Sequence, residues 1–341
     1  MKREIVIGSI ALAFCSHAVA QTSSVTMYGV IDGFLEYTNT GTHTTARMGS
    51  SGLYGSRWGL KGIENLGGGL KAGFVLEQGF NISNGTAADP ARQFNRQAYV
   101  SLSKDNVGEL RFGRQTSPMF FSEGQLDAFL GASIASGLNN LSDYTVRTDN
   151  TVAYISPAIA GVSTELYYGF GTTGNGLTGA NASYQAALRY IRNRVYLTAV
   201  YQAVKNATNT DTLRSTYFGG HYDFDHVTAY LAFHTAKLGS ANIERQVVST
   251  SVRWNFSPVA SVSLGYTYQH DRSGRGNNAQ QVGLLTQYFL SKATQLYAAA
   301  AFLDNRKAAT NTLMGAATAG IPLDYSGANA RGVQFGITHF F

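Results

Sequence analysis

The feature that most constrains this chain is its punctuation. Segments of about ten residues alternate apolar with polar side chains, the length a tilted strand needs to cross a bilayer. In residues 261–269, Val262, Leu264, Tyr266 and Tyr268 share one face, while Ser261, Ser263, Gly265, Thr267 and Gln269 share the other. Val248, Thr250, Val252, Trp254 and Phe256 alternate in the same way against Ser249, Ser251, Arg253 and Asn255, and Val282, Leu284, Thr286, Tyr288 and Leu290 repeat the pattern. A soluble β-sandwich also alternates, so period two alone does not decide. The connections do. Tight ones at 65–68, 105–108, 156–161, 192–193, 224–225, 257–258 and 290–292 interleave with long ones at 39–51, 81–90, 115–151, 172–181, 206–212, 239–244, 272–280 and 305–329. Seven short turns and eight long loops imply sixteen strands with both ends on one side. Short turns on one rim and long loops on the other are the arrangement of an antiparallel transmembrane β-barrel. Sixteen strands is also a size that leaves an aqueous channel. Tyr266 with Tyr268, and Trp254 with Phe256, fall near segment ends, as interfacial aromatic girdles do.

Composition agrees. The chain has 38 glycines, 20 tyrosines and 19 phenylalanines but 5 prolines, which favours strands and turns over helices. The N-terminus reads as a secretion signal over residues 1–20: Lys2 and Arg3, an apolar run at 5–14, then Ala18-Val19-Ala20 before Gln21. That run is half the length of a membrane-spanning helix. Its removal would take Cys15, the single cysteine, and leave residues 21–341 as one barrel domain without a disulfide. Without Lys2, Arg3 and Glu4 the net charge is 24 − 19 = +5, scattered along strands rather than clustered as nucleic-acid binding requires. Residues 25–32 and 332–341 are both strands, and pairing them removes the open edges that lipid cannot satisfy.

The interruption at 115–151 runs to roughly thirty residues, against the usual four to six. Met119, Phe120, Phe121, Leu126, Phe129, Leu130, Ile134, Leu138 and Leu141 make it too apolar for a solvated linker. It is expected to fold inward and narrow the lumen. Parity places Arg57 and Lys61 inward, opposite Trp58 and Leu60, and Arg111 inward, opposite Leu110 and Phe112. Asp32 and Glu36 also count inward, whereas Arg96 falls on the outward parity of Ala98 and Val100. A basic wall facing Glu123 and Asp127 on the loop would set a transverse field across a narrow gap. His226, His234, Ser249 and Asp225 allow a triad on paper, but no nucleophile motif positions one, so no catalytic residue is expected. No metal-ligand spacing occurs, and Gly67-Gly68-Gly69 has no following helix that would make it a phosphate cradle, so neither metal nor cofactor is expected. A barrel serving mainly as a surface adhesin through its long loops is the other reading.

Several stretches carry a family resemblance. Residues 24–32 (Ser-Val-Thr-Met-Tyr-Gly-Val-Ile-Asp) resemble the mature start of the general porins of Gram-negative outer membranes, of the β-proteobacterial type. Residues 56–72, from Ser56-Arg57-Trp58-Gly59 to Leu70-Lys71-Ala72, resemble that family's second hairpin, and 95–100, 108–115 and the terminal aromatic strand match as well. The resemblance implies a homotrimer in the outer membrane, with the third loop inside a pore for passive diffusion of ions and small hydrophilic solutes. It makes Arg96 a pore arginine and the terminal Phe341 the signal read by the barrel-assembly machinery. It also exposes a departure. Ala153 stands where the family often has an arginine on the strand leaving the third loop, and Arg147 is the available compensation. Arg57, Lys61, Arg96 and Arg111 against Glu123 and Asp127 then give a weak preference for anions.

Overall fold

The computed structural model describes residues 23–171 and 179–341, so the expected signal and residues 172–178 of the fourth loop lie outside it. The first strand, β1 (Ser24–Asn39), is long enough to pair with two partners end to end: β2 (Thr44–Ser50) along its second half and β3 (Arg57–Gly67) along its first. Then follow β4 (Leu70–Gly79), β5 (Gln97–Lys104), β6 (Gly108–Thr116), β7 (Arg147–Ile155), β8 (Val162–Gly169), β9 (Ser183–Arg192) and β10 (Val195–Lys205). The rest are β11 (Thr212–Asp223), β12 (Val227–Leu238), β13 (Ile243–Ser257), β14 (Ala260–Asp271), β15 (Ala279–Phe289), β16 (Thr294–Asn305) and β17 (Ala330–Phe340). Because β2 and β3 are two pieces of one strand, these segments make sixteen barrel strands. Each pairs antiparallel with its neighbour in sequence, and β1 with β17 closes the ring from Val30↔Phe340 to Asn39↔Arg331.

Two expectations shift in detail. Most of 39–51 is strand β2, and only four residues separate it from β1. Closure does join the first and last strands, but β17 lies beside residues 30–39 of β1, while 24–30 pair with β3. The interruption between β2 and β3 is organised by Asp32, inward as parity requires. Its carboxylate accepts from the amides of Gly52 (2.7 Å) and Tyr54 (3.2 Å) and from the hydroxyls of Tyr297 (3.0 Å) and Thr338 (2.7 Å).

The alternation resolves into a lipid face and a lumen face. On β17, Val333, Phe335 and Ile337 are exposed outward, while Gln334 and Thr338 are buried inside. Aromatic pairs mark both rims: Tyr222 with Phe224 (4.5 Å) and Trp254 with Phe256 (5.6 Å) beside short turns, and Tyr168 with Phe170 (4.8 Å) beside the fourth loop. The buried apolar cluster sits inside the barrel, and the third loop supplies much of it. Met119, Leu126, Phe129, Ile134, Leu138 and Leu141 of the third loop pack on Tyr196, Val200, Tyr217, Leu285 and Leu303 of the wall.

Candidate functional site

The third loop spans the thirty residues 117–146 between β6 and β7 and contains helices α1 (Pro118–Gln125) and α2 (Gly137–Leu141). Ser117 caps α1 by accepting from the Phe120 amide at 3.2 Å, with Pro118 in the first turn where a missing N–H costs nothing. The loop's ends meet, the Ser117 amide donating to the Val146 carbonyl at 2.9 Å. From there α1 lies on β9, β10 and β11, and α2 on β13, β14 and β15. Glycines on that wall let backbone approach backbone: a Cβ at Gly283 would stand 1.9 Å from the Ala135 carbonyl oxygen, and one at Gly265 2.6 Å from the Phe129 ring. Polar wall residues satisfy the loop backbone. Gln202 accepts from the Thr145 amide (2.6 Å) and donates to its carbonyl (2.8 Å), Ser251 accepts from the Ala128 amide (3.0 Å), and Gln281 donates to the Ile134 carbonyl (2.9 Å). With the loop held on β9–β15, the open gap faces β3–β8.

That wall carries the arginines. Arg57 on β3 and Arg96, just ahead of β5, flank the Glu77 carboxylate at 3.3 and 2.7 Å, and Tyr28 donates to the same carboxylate at 3.0 Å. Arg114 donates to the Asn95 carbonyl at 2.8 Å and pairs with Asp149. Arg147 lies within Coulomb range of Arg96 and Arg114. Its guanidinium stands 5.9 Å from the centre of the Phe120 ring, and among the described residues no carboxylate pairs with it. Three of these guanidiniums thus pair with two carboxylates, Asp149 also being met by Arg92 at 3.4 Å, and the fourth is left without one. Nearer the short-turn rim a second tier holds Lys61, its ammonium 5.5 Å from the centre of the Tyr28 ring, Arg111 paired with Glu109 at 2.8 Å, and Arg189 paired with Glu165.

The sequence-derived set is therefore partly regrouped. Arg57, Lys61 and Arg111 take the lumen side that parity requires. Arg96 also faces inward, and without a bulge: β5 begins only at Gln97, so alternation does not reach residue 96. Glu123 and Asp127 do not face this wall. Each is 1% exposed, on the side of the loop pressed against the barrel. Glu123 accepts from Tyr217 (3.1 Å) and from Tyr144, and Asp127 accepts from Ser136 and Ser251. Burial pushes the Glu123 carboxyl up to about 8 and Asp127 up to about 6, against the opposing pull of those hydroxyl donors. Glu77, Arg114 and Asp149 join the site without having been expected there. The clue to Arg114 is Gly113, whose φ of +135° accompanies a register shift between β6 and β7 that turns the next side chain inward. Ala153 is buried opposite Arg111.

A closed sixteen-stranded barrel, apolar outside, with a loop packed inside it and a basic wall across the remaining gap, defines an outer-membrane channel of the porin class. The chain belongs to the Gram-negative porin family, whose model matches residues 8–308. It is 31% identical to outer membrane porin protein 32 of Delftia acidovorans over the whole of both chains. It is 32% identical to an outer membrane porin protein of Bordetella pertussis over 68% of this chain and 69% of the relative. Among solved structures it resembles the anion-selective porin from Comamonas acidovorans, with a TM-score of 0.81 and 27% identity across 94% of this chain and all of that one.

Proposed function

We propose that the protein is a homotrimeric diffusion channel for ions and small hydrophilic solutes whose eyelet favours anions. The observation that carries this reading is the unequal sharing of charge at the gap: Arg57, Arg96, Arg114 and Arg147 against Glu77 and Asp149. On the loop side Glu123 and Asp127 are buried against the barrel and Asp143 is paired with Arg245 at 2.8 Å, so no loop carboxylate among the described residues stands free at the gap. In a narrow aqueous gap such a set raises the local concentration of anions. The Comamonas acidovorans neighbour, described as anion-selective, supports the same sign. Partners of the mature chain are outer-membrane lipids along the apolar face and, during insertion, the barrel-assembly machinery. The adhesin reading draws no support from this geometry, because an adhesin has no use for a charged eyelet.

Reversal potentials across a planar bilayer under a potassium chloride gradient test the reading. We expect an anion preference that weakens as salt rises, because screening shortens to about 8 Å at physiological ionic strength and further above it. Changing Arg57 and Arg96 together to glutamate should reverse its sign. A wild-type pore that prefers cations would mean that the paired carboxylates dominate.

A further inference from the structure

We infer that the eyelet holds a track for amphipathic organic anions, flat apolar acids of the aromatic carboxylate class; this rests on the anion preference proposed above. The inference starts from which face of α1 meets water. Pro118, Met119, Ser122 and Glu123 are buried against the wall, so the fold already has its anchor on that side. The opposite face carries Phe120 and Phe121 and no charge. Phe121 is 46% exposed, and the two rings meet edge to face at 6.2 Å. Two adjacent phenylalanines turned toward an aqueous lumen contribute little to folding, because their apolar surface stays partly hydrated. They do offer a π-surface beside a cation, with the Arg147 guanidinium 5.9 Å from the centre of the Phe120 ring.

The surface continues below the helix. A cavity of about 420 Å³ runs from Phe121 toward the short-turn rim, lined by Arg189, Ile191, Tyr196 and His221, with Asp223 and the Asp225-paired Arg194 also on its wall. Ile191 is 54% exposed within it, and Tyr196 stacks on His221 with ring centres 5.0 Å apart and planes 4° from parallel. Arg189 is already neutralised by Glu165, so this lower region receives the apolar end of a solute rather than its charge. The charge belongs above, at Arg147, which among the described residues has no carboxylate partner and lies near the Glu77-paired Arg96. A carboxylate held there places a planar ring against Phe120 and then Phe121, with the cavity ahead of it. Each hold is partial, which suits a channel: a solute must bind well enough to enter and weakly enough to leave.

Benzoate and shikimate are contrasting probes of similar size, each a six-membered ring with one carboxylate. Benzoate is flat and aromatic, whereas shikimate is partly saturated and carries three hydroxyls. Bi-ionic reversal potentials of each against chloride give their permeability ratio through the full-length protein in planar bilayers. The ratio of benzoate to shikimate should be at least threefold higher in the wild type than in the Phe120→Ser/Phe121→Ser double variant. Phe121→Ser alone, which alters a ring already half in water, should lie between and decides the matter if the double variant forms no channels. Equal ratios in wild type and variants would overturn the track. The potassium chloride gradient keeps the two ideas separate: a cation preference overturns the selectivity reading, while the benzoate ratio still tests the aromatic face by itself.

Discussion

At the scale of single residues, two buried or bridging carboxylates make opposite predictions. Glu123 in the folded barrel keeps its proton up to about pH 8, whereas the unfolded carboxyl, near 4.5, has released it. Between those values the folded state binds more protons, so stability falls as pH rises through the window. The thermal midpoint in detergent should therefore drop between about pH 5 and 8 and level off above, and Glu123→Gln should flatten that slope by fixing a neutral group between Tyr144 and Tyr217. An unchanged slope would place the titration elsewhere, Asp127 being the next group at about 6. Glu77 works the other way, since it holds Arg57 and Arg96 at once. Glu77→Gln should raise the anion-to-cation permeability ratio by about two- to fivefold, an effect of order 1 kcal/mol as expected for one charge in a partly hydrated site; a ratio that falls would mean Glu77 acts chiefly by positioning its arginines. Parity makes the side of Arg57, Lys61 and Arg111 legible because a strand has only two faces. It fails at Arg114, where a glycine bulge intervenes, and at Glu123 and Asp127, where no strand exists and the face of a short loop helix is set by what it packs against.

At the scale of elements, the third loop is legible from its length and its apolar residues, but its mode of attachment is not. Its anchors are scattered: Gln202 on β10, Ser251 on β13 and Gln281 on β15 each satisfy one stretch of loop backbone. In the sequence these are ordinary lumen-facing polar residues, so nothing distinguishes them before the wall curves round. Deleting residues 123–139 should widen the solute cutoff in liposome swelling. It should also lower thermal stability, because Tyr217, Leu285 and Leu303 lose their apolar cover. A deletion that leaves the cutoff unchanged would remove the loop from the constriction. Gly283→Val is a gentler probe of the same contact. Its side chain would collide with the Ala135 carbonyl, so the α2 end should lift and conductance should change while the lipid face stays intact. Strand β2, at 44–50, illustrates the converse limit. Thr44, Thr45, Arg47, Gly49 and Ser50 look like loop composition, and only pairing with β1 makes them strand.

At the scale of the whole molecule, closure is distributed. Ten residue pairs join β1 to β17, and Phe341 adds reciprocal backbone hydrogen bonds with Gly29 at 2.9 and 3.1 Å. Gly29 is needed for the aromatic terminus to lie there, since a Cβ would stand 2.3 Å from the Phe341 ring. One terminal residue among so many pairs contributes little to the stability of a formed barrel, and the Phe341 ring remains half-exposed. We therefore propose that its main part is played during insertion, as the mark recognised by the assembly machinery. Removing Phe341 should then sharply reduce the amount of protein reaching the outer membrane of a Gram-negative host. The same truncated chain, refolded from denaturant into detergent, should give a barrel with nearly the wild-type thermal midpoint. Loss of both membrane yield and refolded stability would make Phe341 a structural lock on the seam instead. Loss of neither would leave the terminal aromatic strand, rather than its last residue, as the element recognised.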